Sequence, residues 1–206
     1  LRGERFEYTT GGIPAGRSLS VSSPALSPDI NEDPECWCPG AVSYNGDFGT
    51  PGAENPLCLR PATTAGDVVI SEIMYDPAVP MNDNQGEWFE LYNPRRVAIE
   101  LEGCILSDED LDTHEIKQSL VVPPLGFVTL AISNSPGFAP DYVYLGFLLA
   151  NGADEIVLTC DDVLIDKVVY DYSWKPANGA SLSLSPDKLS AEANDDVSHR
   201  RASIVP

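Results

Sequence analysis

The sequence predicts an all-β sandwich or barrel. Strand-like segments recur roughly every ten residues from Asp67 onward. Clusters of Asn, Pro and Gly separate them, and no window carries the 3.6-residue periodicity of an amphipathic helix. Residues 1–66 are rich in Gly, Pro and Ser, with short strand-like pieces at 5–9 and 17–21 and turn punctuation at 49–56. From Asp67 the character changes. Residues 68–73 read as a strand, and Trp88-Phe89-Glu90-Leu91-Tyr92 alternates apolar and polar with period two. Segments 97–101 and 104–107 continue the pattern, and residues 126–132 form the clearest strand. Segments 142–145, 155–160, 163–170 and 180–184 follow. Apolar positions should face a core and polar ones water, as in antiparallel sheets with one wet side.

A chain of 206 residues with 43% hydrophobic content can bury one ordinary core, so it should hold one domain, or one and a part. Its formal net charge is −20. That excludes duplex nucleic acid as a partner, which requires a basic face to displace counterions. It also argues against anionic membrane surfaces. No apolar run approaches the ~18 residues that span a bilayer.

Five cysteines are present: Cys36, Cys38, Cys58, Cys104 and Cys160. There is no C-x2-C knuckle, and His114 and His199 are isolated, so a zinc-finger arrangement is absent. Cys104 and Cys160 each sit in strand-like sequence and are the favoured pair. Cys38 with Cys58 would close a Gly/Pro-rich loop, leaving Cys36 over. Disulfides imply export. Buried free thiols are the alternative, because Cys is among the most buried residue types.

The chain repeats itself. Residues 13–21 resemble 175–184, and Ile30-Asn31-Glu32-Asp33 lies at the same distance as Ala193-Asn194-Asp195-Asp196. With one gap, Tyr8 meets Tyr170 and Thr10 meets Tyr172. The expected organisation is therefore an irregular C-terminal remnant of one unit over 1–58, a linker over 59–66, and a nearly whole second unit over 67–206. Residues 1–58 hold too few strands to bury a core alone.

Glu72, Asp76, Asp83, Glu87 and Glu90 are the candidate metal ligands. They lie on or between the first two strands of the second unit, where pairing would bring carboxylates together and Ca2+ would relieve their repulsion. The favoured alternative is that Glu87 and Glu90 bind backbone or loop groups and define the fold. Asp108-Glu109-Asp110-Leu111-Asp112 fails the EF-hand test, with Thr113 where Gly is required and Ser119 where the bidentate Glu is required. It reads as a solvated turn, with His114 as a turn or strand residue beside it. His199-Arg200-Arg201 reads as a solvated tail. No G-x-S-x-G, H-E-x-x-H, C-x-x-C or P-loop pattern is present. A two-carboxylate hydrolase would need a cleft that a small sandwich without insertions does not provide. The chain is expected not to be an enzyme. Trp37, Trp88, Trp174, Tyr75, Tyr92 and Tyr170 are read as core rather than as a platform for glycans or peptides.

Several ordered motifs carry a family resemblance. They are Val69-Ile70-Ser71-Glu72-Ile73-Met74-Tyr75-Asp76-Pro77, Gly86-Glu87-Trp88-Phe89-Glu90-Leu91-Tyr92-Asn93, Ile99-Glu100-Leu101-Glu102-Gly103-Cys104, Val122-Pro123-Pro124-Leu125-Gly126 and Ile165-Asp166-Lys167-Val168-Val169-Tyr170-Asp171. With the closing Gly179-Ala180-Ser181-Leu182-Ser183-Leu184, this stretch resembles the bacterial, secreted type of lamin tail domain. Trp37-Cys38 and residues 49–55 resemble the tail end of the same domain. The resemblance implies an immunoglobulin-like β-sandwich and a non-catalytic module of a secreted or surface protein, often beside nucleases or other hydrolases. The expected role is anchoring, or binding a protein or polysaccharide partner. A Ca2+-stabilised adhesive repeat and an accessory domain of a secreted hydrolase or nuclease are the alternatives. Exposed sheet edges allow strand addition or self-association.

Overall fold

The computed structural model describes residues 12–23, 26–27, 30–108, 112–174 and 176–203. The strand expected at residues 5–9 lies outside them, as do Tyr8, Thr10 and residues 109–111. Two compact units are distinguished: Leu1–Arg60 with Arg96–Ala98, and Pro61–Arg95 with Ile99–Pro206.

In the first unit, β1 (Leu19–Val21) pairs antiparallel with β2 (Trp37–Pro39), and β3 (Ser43–Tyr44) with β4 (Asp47–Phe48). Asn45-Gly46 makes the two-residue turn of the second hairpin. Both residues have positive φ, 45° and 91°, the mirror-image turn that matches strand twist and favours Asn-Gly. A 3-10 turn, Pro34–Cys36, precedes β2 and is capped by Asp33, whose carboxylate accepts from Glu35 N. Cys38 and Cys58 form a disulfide, and Cys36 is free and buried. Strand β5 (Leu59–Pro61) lies within the segment expected as linker.

The second unit holds the remaining strands, except that the first residue of β8 (Ala98–Glu100) belongs to the first unit. They are β6 (Val69–Met74), β7 (Trp88–Tyr92), β8 (Ala98–Glu100), β9 (Ile105–Ser107), β10 (Thr113–Glu115) and β11 (Val121–Val122), then β12 (Phe127–Ala131), β13 (Tyr142–Val143), β14 (Asp154–Cys160), β15 (Val163–Tyr170), β16 (Leu182–Leu184) and β17 (Arg200–Ala202). The helix α1 (Asp83–Gly86) is one turn long. A six-stranded sheet has the order β13-β12-β7-β6-β16-β17, antiparallel except for β12 with β13. A four-stranded sheet has the order β10-β9-β14-β15.

Alternation places one face of each strand in the core: Phe89 and Leu91 from β7, Val128 and Leu130 from β12, Ile156 and Leu158 from β14, and Val168 and Tyr170 from β15. Tyr75 stacks on Tyr170 with ring centroids 4.6 Å apart, and Phe89, Tyr144 and Phe147 pack as a ring cluster. The Cys104–Cys160 disulfide joins the approach to β9 with the end of β14. The result is an all-β, immunoglobulin-like sandwich, as expected.

The turn before β6 is anchored by Asp67, which is fully buried. Its Oδ2 accepts from the backbone N–H of Thr63 and Thr64, both at 3.0 Å, and its Oδ1 pairs with Arg95. Such a buried carboxylate is tolerated because each oxygen is satisfied. The closing segment differs from the expected solvated tail. Arg200 opens β17 and is only 7% exposed, because its guanidinium caps backbone carbonyls inside the fold.

Candidate functional site

The five candidate metal ligands are spread along the second unit, and each already has a donor. Glu72 and Glu90 are direct cross-strand partners on β6 and β7, so pairing does bring these two carboxylates together. Like charges directly opposite repel. Here each takes hydroxyl donors. Glu72 Oε1 accepts from Ser181 Oγ and from Ser203 Oγ at 3.0 Å, and Glu90 Oε1 accepts from Ser71 Oγ at 2.7 Å. Burial raises the Glu90 pKa above its ordinary value, the Ser71 bond opposes this, and the charge of Glu72 adds to it. Asp76 holds Asn178 Nδ2 at 2.7 Å, and Asp83 holds Asn151 Nδ2 at 3.0 Å.

Glu87 is buried between α1 and β7. Its Oε2 accepts from the backbone N–H of Leu149 at 3.0 Å. Burial pushes its pKa up to about 8; the Leu149 bond pulls it down, and Asp83 and Asp154 raise it further. A cavity of about 400 Å3 beside it is lined by Asp83, Glu87, Asp108, Asp112 and Asp154. Among the described residues, no group of three or more His, Cys, Asp or Glu side chains converges closely enough to hold a metal ion. His114, on β10, contacts Leu145 backbone with Nδ1 and the Tyr142 hydroxyl with Nε2 at 2.9 Å.

A second polar cluster ties the closing segment to the sandwich. Asp166 on β15 accepts from Ile70 N at 2.7 Å and from Asn194 Nδ2 at 2.6 Å. Burial raises Asp166 to about 7, while those two donors pull it down. Arg200 donates Nη2 to Ile70 O at 3.0 Å, Nη1 to Leu182 O at 3.3 Å, and Nε to Asn194 O at 3.1 Å. Its guanidinium lies 5.4 Å from the Trp174 ring centroid. Burial lowers its pKa to about 10, opposed by Asp166 and Asp195. Of these residues, the sequence marked Asn194 only through its repeat partner Asn31. Arg200 was hidden by its charge, which reads as surface until its carbonyl acceptors are in place.

Chemically, these carboxylates act as acceptors for peptide N–H and hydroxyl groups. That is the work of a structural frame with irregular loops.

The fold and its polar frame define a disulfide-bridged, immunoglobulin-like β-sandwich. A family model, the Lamin Tail Domain, matches residues 61–171, more than half of the chain, and the chain belongs to that family. No curated protein and no solved structure matched. The family is one of non-catalytic modules that mediate interactions. No helix among the described residues is long and apolar enough to cross a membrane.

Proposed function

We propose that the chain is a non-catalytic interaction module of a secreted or cell-surface bacterial protein, built from lamin-tail-type repeats and holding a protein or polysaccharide partner. The observation that carries this reading is the outward face of the four-stranded sheet. Ile105, Thr159 and Leu164 lie side by side across β9, β14 and β15, with Val169 further along β15. Ile105, Leu164 and Val169 are 43%, 49% and 50% exposed. Aliphatic side chains grouped on one face favour a protein surface over a sugar ring. Two disulfides support an oxidising compartment.

The test is selection of a phage-displayed peptide library on the immobilised chain, repeated with Leu164→Glu. Hydrolysis assays on p-nitrophenyl phosphate, bis(p-nitrophenyl) phosphate and p-nitrophenyl glycosides accompany it. Peptides lost with Leu164→Glu, and no turnover, are the expected results. Turnover abolished by Glu87→Gln would overturn the reading.

A further inference from the structure

Trp88 and Tyr92, expected in the core, stand instead on the outward face of the six-stranded sheet. Alternation along β7 buries Phe89 and Leu91 and turns Trp88, Glu90 and Tyr92 the other way, where each is half-buried. Strand register sets three rows across this face. Met74, Trp88 and Ala131 form the first, Glu72, Glu90 and Thr129 the second, and Tyr92 and Phe127 the third. Successive rows are two residues apart along β7, about 7 Å.

The outer rows carry the rings. Phe138 meets Trp88 edge to face, with centroids 5.5 Å apart, and Phe127 packs on Tyr92 at 4.7 Å. Phe127 and Phe138 are 45% and 39% exposed. The middle row carries charge. Oε1 of Glu72 and Oε1 of Glu90 accept from serine hydroxyls, and among the described residues their Oε2 atoms accept nothing. Neither carboxylate forms a salt bridge among those residues. Arg200 lies on the core side, held by backbone carbonyls, and Arg201 lies at the end of the row beyond Ser183. At the other end, the exposed Asp141 accepts from Thr129 N and Oγ1.

These rows restrict what can cover the face. An apolar occupant suits the rings but takes two unpaired carboxylates out of water. Sugar hydroxyls satisfy the carboxylates but leave their mutual repulsion in place. A cation at the middle row answers both. Arginine fits better than lysine, because its planar guanidinium donates to two carboxylate oxygens and stacks on aromatic rings. It uses the free Oε2 atoms and leaves the serine bonds intact. The net charge of −20 steers a basic segment toward the chain.

We propose that the outward face of the six-stranded sheet binds an arginine of another polypeptide, carried on an extended segment with apolar residues two positions to either side. The arginine meets Glu72 and Glu90, and the apolar residues cover Trp88 with Phe138 and Tyr92 with Phe127. An extended segment repeats its side chains at the spacing of these rows. This rests on the interaction-module reading and gives the module a second surface, apart from the aliphatic face of the four-stranded sheet.

The probe is an end-capped peptide, Leu-Ser-Arg-Ser-Leu, titrated onto the 15N-labelled full chain by NMR. Saturable shifts are expected at the Trp88 indole N–H and at the Glu72, Glu90 and Thr129 amides. Citrulline in place of the arginine keeps the shape without the charge, and should weaken binding at least tenfold. The double variant Glu72→Gln/Glu90→Gln keeps the serine acceptors and should do the same. Phe127→Ala should weaken binding several-fold. Glu102→Gln/Glu192→Gln makes the same charge change at exposed positions elsewhere and should leave binding within twofold. Absence of saturable shifts overturns the site. Equal binding of the citrulline peptide, or equal loss in Glu102→Gln/Glu192→Gln, overturns it as general attraction to an acidic chain. Cellohexaose that moves these signals when the peptide does not makes a glycan the occupant, and a dimer that Trp88→Ala dissolves makes it a second copy; either result overturns the site. Library peptides lost with Leu164→Glu while this face stays silent overturn the arginine site alone and leave the interaction-module reading standing.

Discussion

Asn194 donates its side-chain amide to Asp166 Oδ2 at 2.6 Å, joining the segment before β17 to β15 across 28 residues of sequence. Both residues are buried, and the same Asp166 oxygen accepts the N–H of Ile70. The contact is therefore a fastening point for the closing segment. Removing one partner leaves a buried acceptor short of a donor, at a cost of about 1–3 kcal/mol. Asn194→Ala should lower the urea midpoint accordingly and speed hydrogen exchange in β17. An unchanged midpoint would show that the segment is held by Arg200 alone.

Stability should fall as pH rises from about 4 to about 8. Unfolded Asp and Glu release their protons near 3.9 and 4.3. Burial raises Asp166 to about 7 and Glu87 to about 8 in the fold. Across that window the native state keeps protons that the unfolded state has lost, so each rise in pH favours unfolding. The slope is at most about 1.4 kcal/mol per pH unit for each group. Asp166→Asn should flatten the curve below pH 7, and Glu87→Gln should flatten it up to pH 8. Denaturant melts of the three proteins against pH measure this directly, and a curve that rises over the window contradicts it.

Thiol titration of unfolded, unreduced protein should find one free cysteine, Cys36, because the other four are bridged. The Cys104–Cys160 bridge spans 56 residues of sequence. Closing a loop of that size removes unfolded-state entropy worth about 4 kcal/mol in the chain-entropy account. A Cys104→Ala/Cys160→Ala double variant should lose stability on that scale. A loss below ~1 kcal/mol would mean that the sheet pairing of β9 with β14 holds these ends without help.

Calcium in excess, or EDTA, should leave the melting temperature unchanged. Glu72, Asp76, Asp83, Glu87 and Glu90 each hold a donor within the fold, and a cation would have to displace them. A saturable rise in Tm with calcium, lost in Glu87→Gln, would place a cation beside the Asp83 and Asp154 carboxylates instead.

Local alternation was sufficient to delimit β7, and an apolar run bounded by turn residues delimited β15. Ordered short motifs carried the resemblance that the family match bears out. Other elements were silent. Strands β2, β10 and β17 are short and carry polar or special residues, so tertiary pairing rather than periodicity makes them strands. The β3–β4 hairpin did carry a readable signal, Asn45-Gly46, which its polar surroundings masked.

The sequence by itself determined the fold class and the domain family, because period-two burial and turn chemistry are local properties of the chain. Only the tertiary structure decided what the polar residues do. It set Glu72 opposite Glu90 and placed Arg200 against carbonyls of β6 and β16. Those outcomes depend on which groups meet across distant strands, and a carboxylate or guanidinium carries no local mark of the partner it will find.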